Sequence, residues 1–443
     1  MSATSASLSP PGRAVPHQAG GFGALPGRLV GKRIGYVLFA LFIFFTCFTF
    51  LRPSPYDFTA IPTLLLWSVL GLRLHRGAIP FLALLLAYHL ALTLALVPYF
   101  FEPDPTIWTL QSIYLLVTGI FFVMFFSEET GKRVTLALDA YIASCVFAAI
   151  CGIYSYFAPG DIFFTMDGRA AGVFEDPNLL GSFLTVGAIA LLRRLLAGET
   201  RRPLLSGAIL LLILTALFLA FSRGAWGATV VGSILSIALT YRSSSRRVRR
   251  RIAILAGAGV FVIAGGLSVL TLDSDIAGTL TDRFTLSKDY DEGETGRFGN
   301  QKRSIPMLME NPNGFGPLRF RLRFGLDPHN SYIGGFANGG WLGGFSFLGL
   351  VILTTFVGLR LCLAESPYRP LAQAAVPPTL MFFMQAFQID VEHWRHIYIM
   401  LGIVWGLECA RLRWLADRSR SRTGSPPGSP PLALRLKNPQ PIA

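Results

Sequence analysis

The sequence predicts an all-α, polytopic integral membrane protein of about twelve transmembrane helices, with one long loop between the ninth and the tenth. Three observations carry this. Of 443 residues, 52% are hydrophobic and 14% charged, against about 25% charged in soluble domains. Apolar runs of roughly 20 residues, the length a helix needs to cross a bilayer, recur along nearly the whole chain. No stretch shows the period-two alternation of a membrane barrel, so helices are the remaining way to satisfy every backbone group inside lipid.

In order, residues 1–32 are rich in Ser, Pro, Gly and Ala and cannot bury a core, so a disordered tail is expected. Arg28, Lys32 and Arg33 precede a first span over 34–51, read as retained because no small-residue cleavage site follows it. Further spans are predicted at 58–74, 78–98, 107–126, 133–157, 177–197, 203–221, 223–241, 251–272, 330–361, 370–390 and 396–414. The chain thus divides into a tail (1–32), helices one to nine (33–272), a long loop (273–328), helices ten to twelve (329–415) and a second tail (416–443). Alternate connections carry Arg73 and Arg76, Lys132 and Arg133, Arg193 to Arg202, Arg246 to Arg251, Arg360 and Arg369, and Arg411 onward. The positive-inside rule places all of these, and both termini, in the cytoplasm. The net charge of +14 therefore reports topology, and no basic soluble face exists to bind nucleic acid. Cys47, Cys145, Cys151, Cys362 and Cys409 lie in or near apolar segments without metal-ligand spacing.

The long loop faces the outer side and is where chemistry is expected, because connections above about 15 residues are usually functional or disordered. Its carboxylates from Asp273 to Glu294 are read as solvated, and no metal site is assigned. From Arg297 onward Phe298, Lys302, Ile305 and Met309 recur at helical spacing, which predicts a short helix on the outer membrane surface, ended by Pro312, Gly314 and Gly316. Three outer helix starts carry cap signals: Asp176-Pro177-Asn178, Ser222-Arg223-Gly224 and Asp327-Pro328-His329. Each offers unpaired N–H groups and a positive dipole end to an anion such as phosphate, with Arg169, Arg223 and Arg297 at hand. His329, placed two residues past its cap, would be held neutral by the dipole and the nearby cations, the form a general base needs. Gly335, Gly339 and Gly343 predict close approach of another helix. The cluster Asp390-Val391-Glu392-His393-Trp394-Arg395-His396 is read first as an interfacial anchor with local ion pairs.

At these motifs the chain resembles the O-antigen ligase family, which includes polymerases of O-antigen and exopolysaccharide repeat units. The matching stretches are GRAAGVFEDPNLLGSFL, FSRGAWGA, GRFGNQKRSIPMLMENPNGFGP and PHNSYIGGFANGGWLGG, spread over roughly 168–344. The resemblance implies a GT-C-like glycosyltransferase of the bacterial inner membrane, working at its periplasmic side without metal or other cofactor. The donor would be a glycan on undecaprenyl diphosphate, and the acceptor lipid A-core or a second lipid-linked glycan. By motif position Arg223 and Arg297 would contact the diphosphate and His329 would take the acceptor proton. Arg169, Asn178, Asn330 and Arg303 would be substrate-binding. Gln301 stands where many members have tryptophan, and Asn338 where many have an acidic residue.

Two other classes would also explain the helices. A transporter or flippase would show repeated halves around a midplane site, whereas no internal repeat is present and the polar residues gather at one face. A purely structural polytopic protein would have no use for His329 beside arginines at a helix start. Within the enzyme class, ligase and polymerase differ only in acceptor.

Overall fold

The computed structural model describes residues 26–51, 53–158, 160, 163–166, 168–270, 293 and 296–423. Nine helices precede the long loop: α1 (Pro26–Phe44), α2 (Pro55–Leu70), α3 (Ile79–Leu96), α4 (Pro103–Ser127), α5 (Thr130–Phe157), α6 (Pro177–Ala197), α7 (Pro203–Leu219), α8 (Arg223–Ser243) and α9 (Arg246–Leu270). Within the loop the described residues include two short helices, α10 (Arg297–Glu310) and α11 (Phe320–Phe324). The chain then makes α12 (Ser331–Leu363), α13 (Arg369–Gln385) and α14 (Arg395–Thr423). The acidic run from Asp273 to Glu294 lies outside the described residues except for Gly293.

Among the described residues seven helices are long and apolar enough to cross a bilayer, which makes this a multi-pass membrane protein. They are α1, α3, α4, α5, α6, α8 and α12, and α7 is a shorter apolar helix. The expected twelve spans require α2, α7, α9, α13 and α14 as well. Several boundaries differ from expectation: α1 covers Pro26–Phe44 where 34–51 is read, α9 starts at Arg246, α13 stops at Gln385 where the span is read to 390, and α14 runs to Thr423, well past 414. Arg420 pairs with Asp417 at 3.7 Å, one turn apart, as helical extension allows. A strand pair was not expected either. β1 (Phe164–Met166) and β2 (Arg169–Gly172) form an antiparallel hairpin in the α5–α6 connection, too short to register as alternation.

Helix neighbours follow the apolar faces: α12 packs on α3, α14 on α4, α1 on α2, and α8 on both α6 and α13. The core between α1, α2 and α4 is aromatic, with Phe39 stacked on Phe125 at 4.1 Å and Phe42 on Phe122 at 5.5 Å. One end of the bundle collects cations and their partners. Lys32 bonds Glu129 at 3.0 Å, Arg413 lies 3.7 Å from Glu128, and buried Arg133 sits between the Trp67 and Phe125 rings at 4.6 and 4.5 Å. These are connections that the charge rule assigned to one side. The opposite end holds Ser54, Asp57 and Arg395, joined by bonds of 2.7 Å (Arg395 to Ser54) and 3.3 Å (Arg395 to Asp57).

The glycines of α12 do more than admit a separate helix along an unbroken face. The helix breaks at Gly340, where φ is 62° and ψ −161°, a region essentially closed to residues with a Cβ. A Cβ there would stand 2.2 Å from the Pro312 carbonyl. Into this break the 312–316 segment docks: Trp341 N–H donates to Pro312 O at 2.8 Å, and Phe315 and Gly316 N–H donate to Ala337 O at 2.7 and 3.1 Å. Beyond the break α12 folds against its own first part, so that a Cβ on Gly343 would meet the Gly335 carbonyl at 2.8 Å. Gly339 faces Leu92 and Ala91 of α3.

Candidate active site

Two of the three expected helix starts form as read. Asp176 caps α6 by accepting from Asn178 N–H at 2.8 Å, and Ser222 caps α8 through Ala225 N–H at 3.4 Å. The third start is displaced. Asn330, not Asp327, caps α12, its Oδ1 accepting from Tyr332 and Ile333 N–H at 3.0 and 3.1 Å. His329 therefore precedes the helix instead of lying in its first turn, and takes the left-handed φ of 45°. For a residue with a Cβ that conformation costs about 1–2 kcal/mol and persists only where surroundings over-determine it. Phe221, at φ 44°, does the same just ahead of Ser222 and Arg223.

What holds His329 there is the segment between α13 and α14. Asn330 N–H donates to Asp390 Oδ1 at 3.0 Å, Asn330 Nδ2 to Phe387 O at 3.3 Å, and Ser331 N–H to Ala386 O at 2.8 Å. The Ser331 hydroxyl donates to Ile389 O at 3.1 Å and accepts from Val391 N–H at 2.8 Å. Asn330, expected to bind substrate, thus spends both ends of its amide on the fold. The second Asp390 oxygen lies 3.7 Å from His329 Nδ1, with 44% of the histidine and 30% of the aspartate side chain exposed. The sequence sets cations around His329, whereas this contact is with an acid. Burial first, and the Asp327 charge second, raise the Asp390 carboxyl above its ordinary range, against N–H groups donated by Asn330 and His329.

The helix α10 closes over the same segment. Its inward stripe, Asn300, Gln301, Ser304 and Leu308, is buried at helical spacing. Gln301 Nε2 donates to Pro328 O at 2.8 Å, gripping the residue before His329, and Asn300 Nδ2 donates to Phe324 O at 3.1 Å. Arg297 Nη1 reaches Gln388 O at 3.4 Å. The outward stripe, Phe298, Ile305 and Met309, is exposed, as a helix on a lipid surface requires.

Arg223 opens α8, and the next residue, Gly224, faces the same loop: a Cβ there would stand 3.3 Å from Gln388 Oε1. The segment Phe387–Asp390 is accordingly where the α8 start, Arg297 and His329 converge. Arg169 joins the hairpin to two helix ends. Its Nη2 donates to Asn178 Oδ1 at 2.8 Å and its Nε to Ala220 O at 3.0 Å, tying the hairpin to the α6 start and the α7 end. Arg303 bonds Asn300 Oδ1 at 2.6 Å on exposed α10 and reaches none of the three. Arg319 pairs with Glu102 and stacks over Tyr99 at 3.9 Å, and Arg321 lies 3.9 Å from Asp104, so both are drawn toward α4.

Three contributors escaped the sequence reading: Asp390, Gln388 and Gln301. The cluster holding Asp390 was visible, but nothing local ties it to a histidine 61 positions earlier. Other members of that cluster tie the connection to neighbouring helices. His393 stacks on Trp108 at 4.2 Å and meets its carbonyl at 3.3 Å, burial lowering the ring to about 4. Arg395 secures the α1–α2 connection.

Residues 208–348 match a family model described as O-antigen ligase. The matched region includes Arg223, Arg297, Gln301 and His329, and it ends ahead of Asp390. Among curated proteins no relative matches the chain.

Proposed function

From a chain whose residues 208–348 belong to the O-antigen ligase family, we propose a membrane glycosyltransferase that moves a glycan from undecaprenyl diphosphate to an acceptor hydroxyl on lipid A-core. The reaction is one inverting displacement at the periplasmic face of the inner membrane. The acceptor oxygen bonds to the sugar anomeric carbon while the bond from that carbon to the diphosphate oxygen breaks. The acceptor proton goes to His329, and the lipid diphosphate leaves with its electron pair. The observation that supports this best is the convergence of the α8 start, Arg297 and His329 on Phe387–Asp390.

Charge logic assigns the roles. The leaving diphosphate gains negative charge in the transition state, and preorganised guanidinium groups with a helix N-terminus stabilise it most where water is scarce. Arg223, in the first turn of α8, and Arg297 supply these. Asp390 faces Nδ1, so Nε2 is the nitrogen turned to the acceptor, and the imidazolium that forms gains an anion beside it. No metal is required, because the cations are supplied by the chain.

Purified protein in liposomes with a lipid-linked glycan and a lipid A-core acceptor tests this. New glycosidic bonds are expected, with a loss of about 10²-fold or more in His329→Ala. Full transfer by that variant would remove His329 from the reaction, and movement of glycan across the bilayer without bond formation would make the protein a transporter. In a deletion strain, unligated long chains are expected; single repeat units would make it a polymerase.

A further inference from the structure

At the end of the bundle that the charge rule assigns to the cytoplasm, the arginines are not all used alike. Two near the end of α6 are spent on carboxylates, Arg193 on Glu199 and Arg194 on Asp139. Five exposed arginines beside them are not: Arg201 and Arg202 ahead of α7, and Arg246, Arg247 and Arg250 in the first turns of α9. None of the five forms an ion pair among the described residues. The fold brings the two groups together. The Arg251 guanidinium lies on Gly198, the C-cap of α6, where a Cβ would stand 2.8 Å from it, and Arg201 follows within a turn's length of chain. Arg249 holds the α9 start to the end of α8, donating to Tyr241 O at 2.9 Å and Arg242 O at 3.0 Å. With Ile252 buried as well, these residues turn one face of α9 inward and leave Arg246, Arg247 and Arg250 on the other. At 3.6 residues per turn that outer face, about 100° wide, continues through Ile254 and Phe261, both exposed. The α7 start repeats the pattern, with Arg201 and Arg202 followed by exposed Leu204 and Leu205.

The charge rule asks only for positive charge on this side, not for its arrangement. Unpaired arginines followed along the same helix face by exposed apolar side chains suit a molecule with an anion at one end and hydrocarbon at the other. We propose that the α7 and α9 starts form a binding site for an anionic phospholipid of the adjoining leaflet. Its phosphate is held by guanidinium groups drawn from Arg201, Arg202, Arg246, Arg247 and Arg250, and its acyl chains run along Ile254 and Phe261. A guanidinium fork meets two phosphate oxygens at once, which a point charge cannot do. Lipid bridging the two starts adds to the hold that Arg249 and Arg251 keep on α9. The site lies a full helix away from the candidate active site, because α8 runs from Arg223 to Ser243 before α9 begins, and it does not depend on the transferase reading.

The test uses the purified full-length chain in phosphatidylcholine nanodiscs with phosphatidylglycerol as the anionic probe, reading retained lipid by native mass spectrometry and stability by Tm. Wild type should retain phosphatidylglycerol over phosphatidylcholine and gain Tm as its fraction rises, and both effects should shrink between about 0.05 and 0.5 M salt. Changing Arg201, Arg202, Arg246, Arg247 and Arg250 together to Gln should weaken apparent affinity for phosphatidylglycerol by about tenfold or more, given about fivefold for each cation near a lipid phosphate. A control changes Arg33, Arg73 and Arg76 to Gln, three exposed arginines assigned to the same end that also form no ion pair among the described residues, and should bind as wild type does. Equal losses in the two variants, or no preference for phosphatidylglycerol in wild type, would overturn the proposal. So would an equal rise in Tm with glycerol phosphate, which carries the anion without the chains. If the five changes disturb insertion, Arg246→Gln with Arg250→Gln decides alone: it leaves Arg247, Arg249 and Arg251 to the charge rule and should still lose about fivefold or more, and wild-type binding by it would refute the site.

Discussion

Replacing Asp390 by asparagine isolates one term of the proposed chemistry. The amide keeps an oxygen to accept the Asn330 N–H, now 3.0 Å from the carboxylate, so the cap and its loop should survive. What disappears is the negative charge 3.7 Å from His329 Nδ1. At that separation a full ion pair is worth about 1 kcal/mol at the dielectric of water and about 4.5 kcal/mol at an effective dielectric of about 20. Both side chains are partly exposed, 44% and 30%, so the screened end applies, about 1–2 kcal/mol. In the proposed reaction His329 becomes cationic as it takes the acceptor proton, so the loss falls on the transition state, and kcat should drop roughly 5- to 30-fold with donor KM unchanged. Single-turnover transfer in liposomes measures this directly. A variant with wild-type kcat across the pH range would show that the contact contributes nothing to proton acceptance, and Asp390 would then be a structural partner of Asn330.

Asp327→Asn removes the charge that helps raise Asp390; Asp390 should then stay ionised to lower pH and the acid limb of kcat should move down, and an unmoved limb would dissociate Asp390 from the profile. Gln301→Ala leaves the buried Pro328 carbonyl without its 2.8 Å donor, a loss of about 1–3 kcal/mol, which should cut kcat at least fivefold while Gln301→Glu fares no better; intact rate in the alanine variant would deny that α10 sets His329. Arg169→Lys keeps the charge but cannot serve Asn178 and Ala220 together, so Tm and kcat should fall with donor KM steady; a raised KM at unchanged Tm would assign Arg169 to substrate binding. Gly340→Ala meets the Pro312 carbonyl at 2.2 Å in a glycine-only conformation and should lose about 3 kcal/mol or more, read as a fall in folded yield and Tm.

The parts of this fold legible in sequence are those decided locally. Apolar runs mark helices because lipid leaves the backbone no other partner, and Asp176 and Ser222 cap as read because a cap answers to its own next turn. The α10 helix was legible by period alone, through Phe298, Ile305 and Met309. The misplaced cap of α12 shows where local reading ends. Asp327 and Asn330 are both good caps, and the choice between them is made by Asp390, Phe387 and Ala386, which arrive from the far side of α13. Glycine spacing in α12 has the same limit, since a close-packed stripe and a broken helix folded on itself use the same residues.

That limit has a chemical side. A histidine in the first turn of an intact helix would meet a dipole and cations, all favouring the neutral ring. Set outside the helix at positive φ, it has Asp390 beside Nδ1, and the chain around it is held by Gln301 on Pro328 and Asp390 on Asn330. These come from opposite sides of the chain, one from α10 and one from the α13–α14 connection, and the same two elements carry Arg297 and its Gln388 contact. A displacement of α10 would therefore move together His329 and Arg297, the proposed base and a proposed diphosphate cation. Cross-linking α10 to the 386–390 segment should then leave transfer intact, whereas lengthening the 312–316 anchor that seats α10 on the α12 break should lower it without touching any reacting group.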